Sequence, residues 1–456
     1  MEFTHRTYEK GQTIAAVATP PGEGGIAVIR ISGDDALNVA DKIFSGSIHS
    51  YKTHTVHFGN ILDENGAFID EGLAVVMRTP RSYTGEDTVE IHCHGGTLIT
   101  QKVLKAALHS GARAALPGEF TCKAFQNGKI DLTKAEAVQQ VIASKNTLAM
   151  QAAENQLQGK LYQTIASFQN QLTDIAAILE AWVDFPEEGL EFASHDEMLS
   201  MLSSSIEKME HLLSTFHDGK RLQTGLSICL LGAPNVGKSS LMNAIVGKER
   251  AIVTDIPGTT RDILEEDIEL AGLNFRLLDT AGIRDTEEII EREGVRRSVA
   301  AAKEADLILL VIDLSNPSID PELMATLPRG QTLVVWNKTD LRPVDQLPNL
   351  PFDAVKVSAK NYEGLDALKD AVHQIVWKTG PPSKEEVVLT NERHFQSLER
   401  AIQATQNVAL GLQQELSPEF LTSDIRLALK ELGTIIGVNI TEDILSAIFS
   451  KFCVGK

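Results

Sequence analysis

The sequence predicts a multidomain chain that combines the α+β and α/β classes: an N-terminal α+β domain, a helical bundle, and an α/β domain inserted into that bundle. Three observations carry this expectation. From Thr13 to about Gly111, short β-branched strands mix with helical patterns; from about 223 to 379, strands alternate regularly with helices; and helical periodicity stands on both sides of that alternation. The expected domains are 1–125, 126–222, 223–379 and 380–456; the economical reading makes the second and fourth two parts of one helical domain, and two separate bundles are the alternative.

The N-terminal strands are read in "TIAAVA", "GIAVIRIS", "LAVVMR" and "DTVEIHCH", which are apolar and rich in β-branched residues. "LITQKVLKAALHSG" reads as a helix ending at Gly111. Beyond it, Thr133 with Glu136 three residues later has the form of a capping box. Leu161, Ile165, Phe168, Leu172, Ile175, Leu179 and Trp182 then fall on one helical stripe, the pattern of a bundle core. "LSICLLG", "NFRLLD", "DLILLVID", "TLVVWN" and "AVKVS" follow as strands of a parallel sheet. "KTGPPSKEE" marks a boundary, and helical pattern resumes from about Asn391.

Composition narrows the partners. The 456 residues are 43% apolar and 23% charged, the balance of a globular protein. A net charge of −20 argues against a chain that coats nucleic acid with a general basic surface. Any RNA contact is then local, or shared with a partner that brings positive charge. Cys93, Cys122, Cys229 and Cys453 are widely spaced and form no C-x-x-C pair, which suits a reducing compartment. The first residues are polar, unlike a signal peptide, and no run reaches about 18 apolar residues. A cytoplasmic protein without a membrane span is expected.

"GAPNVGKSS" at Gly232 matches G-x-x-x-x-G-K-S between an apolar strand and a helical stretch, the setting this phosphate loop requires. Glycines let backbone N–H groups approach phosphates, Lys238 reaches the β- and γ-phosphates, and Ser239 ligates Mg²⁺. The loop's contact residues are Asn235, Val236, Gly237, Lys238, Ser239 and Ser240. "DTAG" (Asp279, Thr280, Ala281, Gly282) ends a second strand, with Asp279 on the metal side and Gly282 sensing the γ-phosphate. "NKTD" follows a third strand, where Asn337 and Lys338 lead to Asp340, whose carboxylate accepts two N–H donors from guanine but finds no such edge on adenine. Ser358, Ala359 and Lys360 supply donors toward the guanine oxygen. Between the first two motifs lies a switch stretch, Thr254, Asp255, Ile256, Pro257, Gly258, Thr259 and Thr260, in which Thr260 is the candidate to complete Mg²⁺ coordination and Thr259 the second choice. Four motifs in order on successive strand ends define a Ras-like P-loop GTPase domain. One position is unusual. Ras-like enzymes place a water-orienting glutamine after this glycine, whereas here Ile283 stands there.

"ATPPGEGGIAVIRISG", "TGEDTVEIHCHGG", "PGEFTCKAFQNGKIDLTKAEAV", "GTTRD" and "FCVGK" resemble the MnmE, or TrmE, family of tRNA-modification GTPases over essentially the whole chain. The resemblance implies an N-terminal folate-binding and dimerising domain, a helical domain and an inserted GTPase domain. It further implies a homodimer working in a heterotetramer with MnmG, an FAD-containing partner. Together they install an aminomethyl or carboxymethylaminomethyl group at C5 of the wobble uridine of certain tRNAs, with 5-formyl- or methylene-tetrahydrofolate carrying the one-carbon unit.

The resemblance also supplies a substitute for the missing glutamine. In the family, K⁺ is trapped beside the phosphates when GTPase domains meet, which assigns Asn235, Thr254, Ile256 and Thr259 to that ion and Glu291 to water positioning. From sequence alone Glu291 has no priority over Glu287, Glu288 or Glu293. The cation takes the place of an arginine finger, worth roughly 10³ to 10⁵ in rate, or about 4 to 7 kcal/mol of barrier. The catalytic set is then Glu291, Asn235, Lys238 and Gly282. For folate the resemblance points to Arg30, Glu90, Lys129 and Lys456; a cation can pair with the folate carboxylate and a carboxylate can accept pterin N–H groups. Cys453 is either a thiol beside the folate or a small buried hydrophobe.

Two tempting motifs are set aside. "PPGEGG" precedes a strand and not a helix, against a dinucleotide fingerprint. In "HCHGG" a strand would turn His92 and His94 to one face and Cys93 to the other, so three metal ligands could not converge. The competing function is a regulatory or ribosome-assembly GTPase switch, which would share residues 232–360 but would not need the N-terminal phrases or "CVGK".

Overall fold

The computed structural model describes residues 11–184, 194–248, 267–278, 302–318, 320–341, 347–348, 350–377, 383, 385–438 and 440–456. The candidates at 254–260, 279–283 and 291 therefore lie outside the described residues. Contacts divide the chain into two compact units. One holds the chain up to Ile142, together with Gln156–Met209 and Gln396–Lys456; the other holds Ala143–Asn155 and Glu210–Phe395. No helix among the described residues is long and apolar enough to cross a membrane.

In the first unit, β1 (Ile14–Val17), β2 (Gly24–Ser32), β3 (Thr55–Leu62), β4 (Phe68–Met77), β5 (Thr88–Gly95) and β6 (Arg113–Ala114) form a sheet in the order β3-β4-β5-β2-β1-β6. Every pairing is antiparallel except that of β1 with β6. Helices Ala36–Ile43 and Thr97–His109 cover one face, packing Val39, Ala40, Ile43, Val103 and Ala106 with Ile29, Ile31, Val89 and Ile91. Because successive side chains alternate across a sheet, Arg30, Glu90 and His92 face the other way. Cys93 is buried with the core, while His94 turns outward and pairs with Asp70 at 2.9 Å.

The helical part of this unit is closed by segments far apart in sequence. Helix Lys160–Asp184 buries Leu161, Ile165, Phe168, Leu172, Ile175 and Leu179, as its stripe predicts. Trp182, at the end of the stripe, is only half-buried and stacks on His195. Helix Pro418–Ile436 runs against Lys160–Asp184, and Arg426 pairs with Glu180 across them at 2.9 Å. The expected cap at Thr133 needs correction. Helix Leu132–Ala143 begins one residue earlier, and Asp131 Oδ1 accepts from Lys134 N (3.1 Å) and from the Thr133 hydroxyl. Aspartate in that position answers the helix's unpaired N–H groups directly, leaving Thr133 inside the first turn.

In the second unit, β7 (Leu226–Leu231), β8 (Asp267–Leu270), β9 (Leu273–Leu278), β10 (Leu307–Asp313), β11 (Thr332–Asn337) and β12 (Asp353–Lys356) are ordered β12-β11-β10-β7-β9-β8. All pairs are parallel except β8 with β9. Buried on both faces, β10 and β11 read as continuous apolar runs. Helix Lys238–Lys248 follows β7 and buries Leu241, Met242, Ala244 and Ile245 against the sheet.

Ile165, on the bundle stripe, is fully buried. Ile165→Ala is expected to destabilise the first unit by about 2 to 5 kcal/mol, read as an earlier urea transition in the helical circular dichroism signal.

Candidate nucleotide site and a second polar cluster

Parallel pairing aligns the carboxyl ends of β7, β10 and β11, with Leu310 opposite Leu231 and Asp313 opposite Asn337. Ligands of open α/β sheets bind outside such ends where the strand order reverses, and β7, which feeds the phosphate loop, stands between β10 and β9. The loop's backbone is shaped for close approach. Gly232 has φ +146 and a Cβ there would stand 2.3 Å from Val311 O. Gly237, at φ +93, would press a Cβ to 2.4 Å from Asn337 Nδ2. Only glycine fits either place.

Lys238 donates from Nζ to the carbonyls of Gly232 (2.9 Å) and Ala233 (3.1 Å), so its ammonium spans the loop. Ser239, at the start of the helix, is half-buried and Ser240 exposed. Asn235 occupies the left-handed region at φ +60, and its carbonyl accepts from Lys338 Nζ at 2.7 Å. Lys338, itself at φ +62, also pairs with Asp313 Oδ2 at 2.7 Å. Burial raises the Asp313 pKa, but hydrogen bonds from Lys338 and Ser315 outweigh it and hold the carboxyl below its ordinary value.

Asn337 is buried and ties the two recognition loops together. Its Nδ2 donates to Val236 O at 2.9 Å, and its Oδ1 accepts from Ala359 N at 3.1 Å. Asp340 is exposed, and the buried Ser358 hydroxyl donates to its Oδ1 at 2.7 Å. That hydrogen bond, aided by Lys360 and Lys338, lowers its pKa and keeps an anionic acceptor ready for guanine. The structure thus brings together Asn235, Val236, Gly237, Lys238, Asn337, Lys338, Asp340, Ser358, Ala359 and Lys360. Asp313 was missed by the sequence reading. Its signal was its place at the end of "DLILLVID", one strand over from "NKTD".

The second cluster lies in the other unit. The β2–β5 register sets Arg30 opposite Glu90, and Arg30 Nε donates to Glu90 Oε1 at 2.8 Å. The guanidinium lies over the Phe120 ring (5.6 Å to the centroid), and its Nη1 donates to Gly455 O at 3.3 Å. Tyr83 stands near Arg30 and its phenol pairs with Thr121 at 2.9 Å. Burial pushes that phenol's pKa up, against the opposing effects of Thr121 and Arg30. Lys129 Nζ donates to Pro80 O at 2.9 Å, and its stem passes Gly85 on the same loop that carries Tyr83. Lys456 is half-buried and its N–H donates to Cys453 O at 3.4 Å. Cys453 is exposed, which overturns its reading as a small buried hydrophobe. Tyr83, Phe120 and Gly455 were not found from sequence, since nothing in their spacing ties them to Arg30.

A phosphate loop on the central strand, an asparagine–aspartate guanine motif and a serine–alanine loop beside it define a P-loop GTPase, an enzyme that hydrolyses GTP. Residues 13–129 match the family described as GTP-binding protein TrmE N-terminus, and residues 132–453 match the MnmE helical domain. A tRNA modification GTPase MnmE of Protochlamydia amoebophila (strain UWE25) is 58% identical over 460 residues, covering 100% of both chains. That of Chlamydia trachomatis serovar A is 45% identical over 98% of this chain and 100% of its own. The Syntrophotalea carbinolica protein of the same name is 45% identical over 97% and 99%. The chain belongs to the MnmE (TrmE) family of tRNA modification GTPases.

Asn337→Ala leaves Val236 O and Ala359 N without their partner. Each orphaned buried group costs about 1 to 3 kcal/mol, so GDP affinity is expected to fall by roughly 10- to 100-fold, measured by titration with a fluorescent GDP analogue.

Proposed function

We propose that this chain is a K⁺-activated, Mg²⁺-dependent GTPase that modifies the wobble uridine of certain tRNAs. It would work in the cytoplasm as a homodimer, joined in a heterotetramer by an MnmG-type FAD-dependent partner, with a tetrahydrofolate supplying the one-carbon unit. Membership of the family favours this reading over an assembly switch. The single observation that carries it is the pairing, in one chain, of a guanine-type phosphate-loop site with the Arg30–Glu90 cluster, which a switch would not require.

At the GTPase site, Ser239 and Thr260 would hold Mg²⁺, and Asn235, Thr254, Ile256 and Thr259 would hold K⁺. Of these, Ser239 at the helix start and Asn235 in the phosphate loop suit such roles, since each stands where phosphate oxygens approach. The bound cations offset negative charge that grows on the phosphates during cleavage. Lys238 orients the β- and γ-phosphates, Gly282 senses the latter, and Glu291 positions the attacking water that Ile283 cannot. Asp340 and the Ser358–Lys360 loop select guanine.

In the second cluster the donor set suits a folate. Glu90 offers a carboxylate to pterin N–H groups, and Arg30, paired with it at 2.8 Å, offers donors to the same end of the ligand; Lys129 and Lys456 offer cations to glutamyl carboxylates. The net charge of −20 supports a partner that supplies much of the surface for tRNA phosphates.

GTP hydrolysis is expected to slow by at least about 10³-fold on exchanging K⁺ for Na⁺, and Glu291→Ala should abolish most of the K⁺-stimulated rate. Equal rates in both salts would refute the cation role. Nucleoside analysis of tRNA from cells lacking the protein is expected to show wobble uridines without the C5 group. Unchanged nucleosides would restore the switch reading.

A further inference from the structure

We propose that Arg30 is a positioning residue that couples ligand binding at Glu90 to the seating of the Cys453–Lys456 turn. This deepens, and rests on, the folate reading of that cluster.

The turn is tight. Lys456 N–H returns to Cys453 O at 3.4 Å, and Gly455 takes φ +97 at the third position, the signature of a type II turn. Its seat is equally close. A Cβ on Gly455 would stand 2.3 Å from Val17 O, and Gly118 N–H donates to Cys453 O at 3.3 Å. The remaining tie is Arg30 Nη1 to Gly455 O at 3.3 Å. That same guanidinium is ion-paired with Glu90 through Nε and rests on Phe120.

A guanidinium carries five N–H donors in a fixed plane. One meets Glu90 and one meets Gly455, so the others can donate to acceptors of the ligand while both contacts persist. A ligand bound to Glu90 and Arg30 fixes that plane, and a fixed plane favours the longer bond to Gly455. Binding and seating therefore promote each other, and the coupling is reciprocal. Lysine could neutralise Glu90 but could not span both partners, because its ammonium is a point charge without the fork.

The test combines calorimetry with 5-formyltetrahydrofolate and electron paramagnetic resonance of a nitroxide on Cys453. Cys453 is exposed while Cys93, Cys122 and Cys229 are buried, so the label reports the turn. Gly455→Ala, made in a Lys456→Ala reference so that displacing that folate cation does not count, is expected to mobilise the label and to weaken folate binding about 5-fold or more below that reference. Arg30→Gln and Arg30→Lys are expected to mobilise the label to similar extents, with circular dichroism like the parent's. The coupling is overturned if Gly455→Ala frees the label yet binds folate as its Lys456→Ala reference does. It is equally overturned if Arg30→Lys leaves the label as immobile as in the parent, for then charge alone seats the turn. Absence of folate binding by the parent would overturn the folate reading and the coupling with it.

Discussion

Parallel pairing of β10 with β7 on one side and β11 on the other is the constraint on which the nucleotide site depends. Strands that run the same way finish at the same edge, so residues some 80 to 100 positions apart in sequence become neighbours through backbone pairing alone. Asp313 and Asn337 meet because they end adjacent strands in register. The phosphate loop meets them because β7 ends beside both. Each polar contact then completes an arrangement that backbone hydrogen bonding has already made.

Antiparallel pairing does the corresponding work in the other unit. Arg30 and Glu90, 60 positions apart, face one another because β2 and β5 are registered residue for residue. Their face of the sheet is not the one taken by helices Ala36–Ile43 and Thr97–His109; it carries Phe120 of helix Glu119–Gln126, packed on Ile14 and Ala16. A pair of opposite charges on a half-buried surface can therefore remain available to a third group. The Phe120 ring beneath the guanidinium limits its motion without consuming a donor.

Sequence patterning disclosed most of this architecture because it rests on strong local signals. The runs that became β10 and β11 are apolar from Leu307 to Ile312 and from Leu333 to Trp336, and the phosphate-loop glycines are demanded by spaces no side chain could enter. The stripe from Leu161 to Leu179 is likewise a local periodicity that tertiary packing left intact. What escaped were features set by partners distant in sequence. β3 alternates in the inverted sense, with Val56 and Phe58 exposed and Thr55 and His57 half-buried, so its strand character comes from pairing with β4. Nothing in "CVGK" pointed to Gly455, because its relation to Val17 and Arg30 exists only once residues 440–456 fold back on the sheet. Thr133 lost the cap to Asp131 because two oxygen-bearing residues competed for one helix start.

Asn337 carries a wider implication. One amide is shared by a carbonyl of the phosphate loop and an N–H of the loop beside the base, and Lys338 adds a strap to Asn235. Neither loop can swing away without tearing the other's anchorage. The two loops thus form a single mechanical body, and a displacement of one is carried to the other.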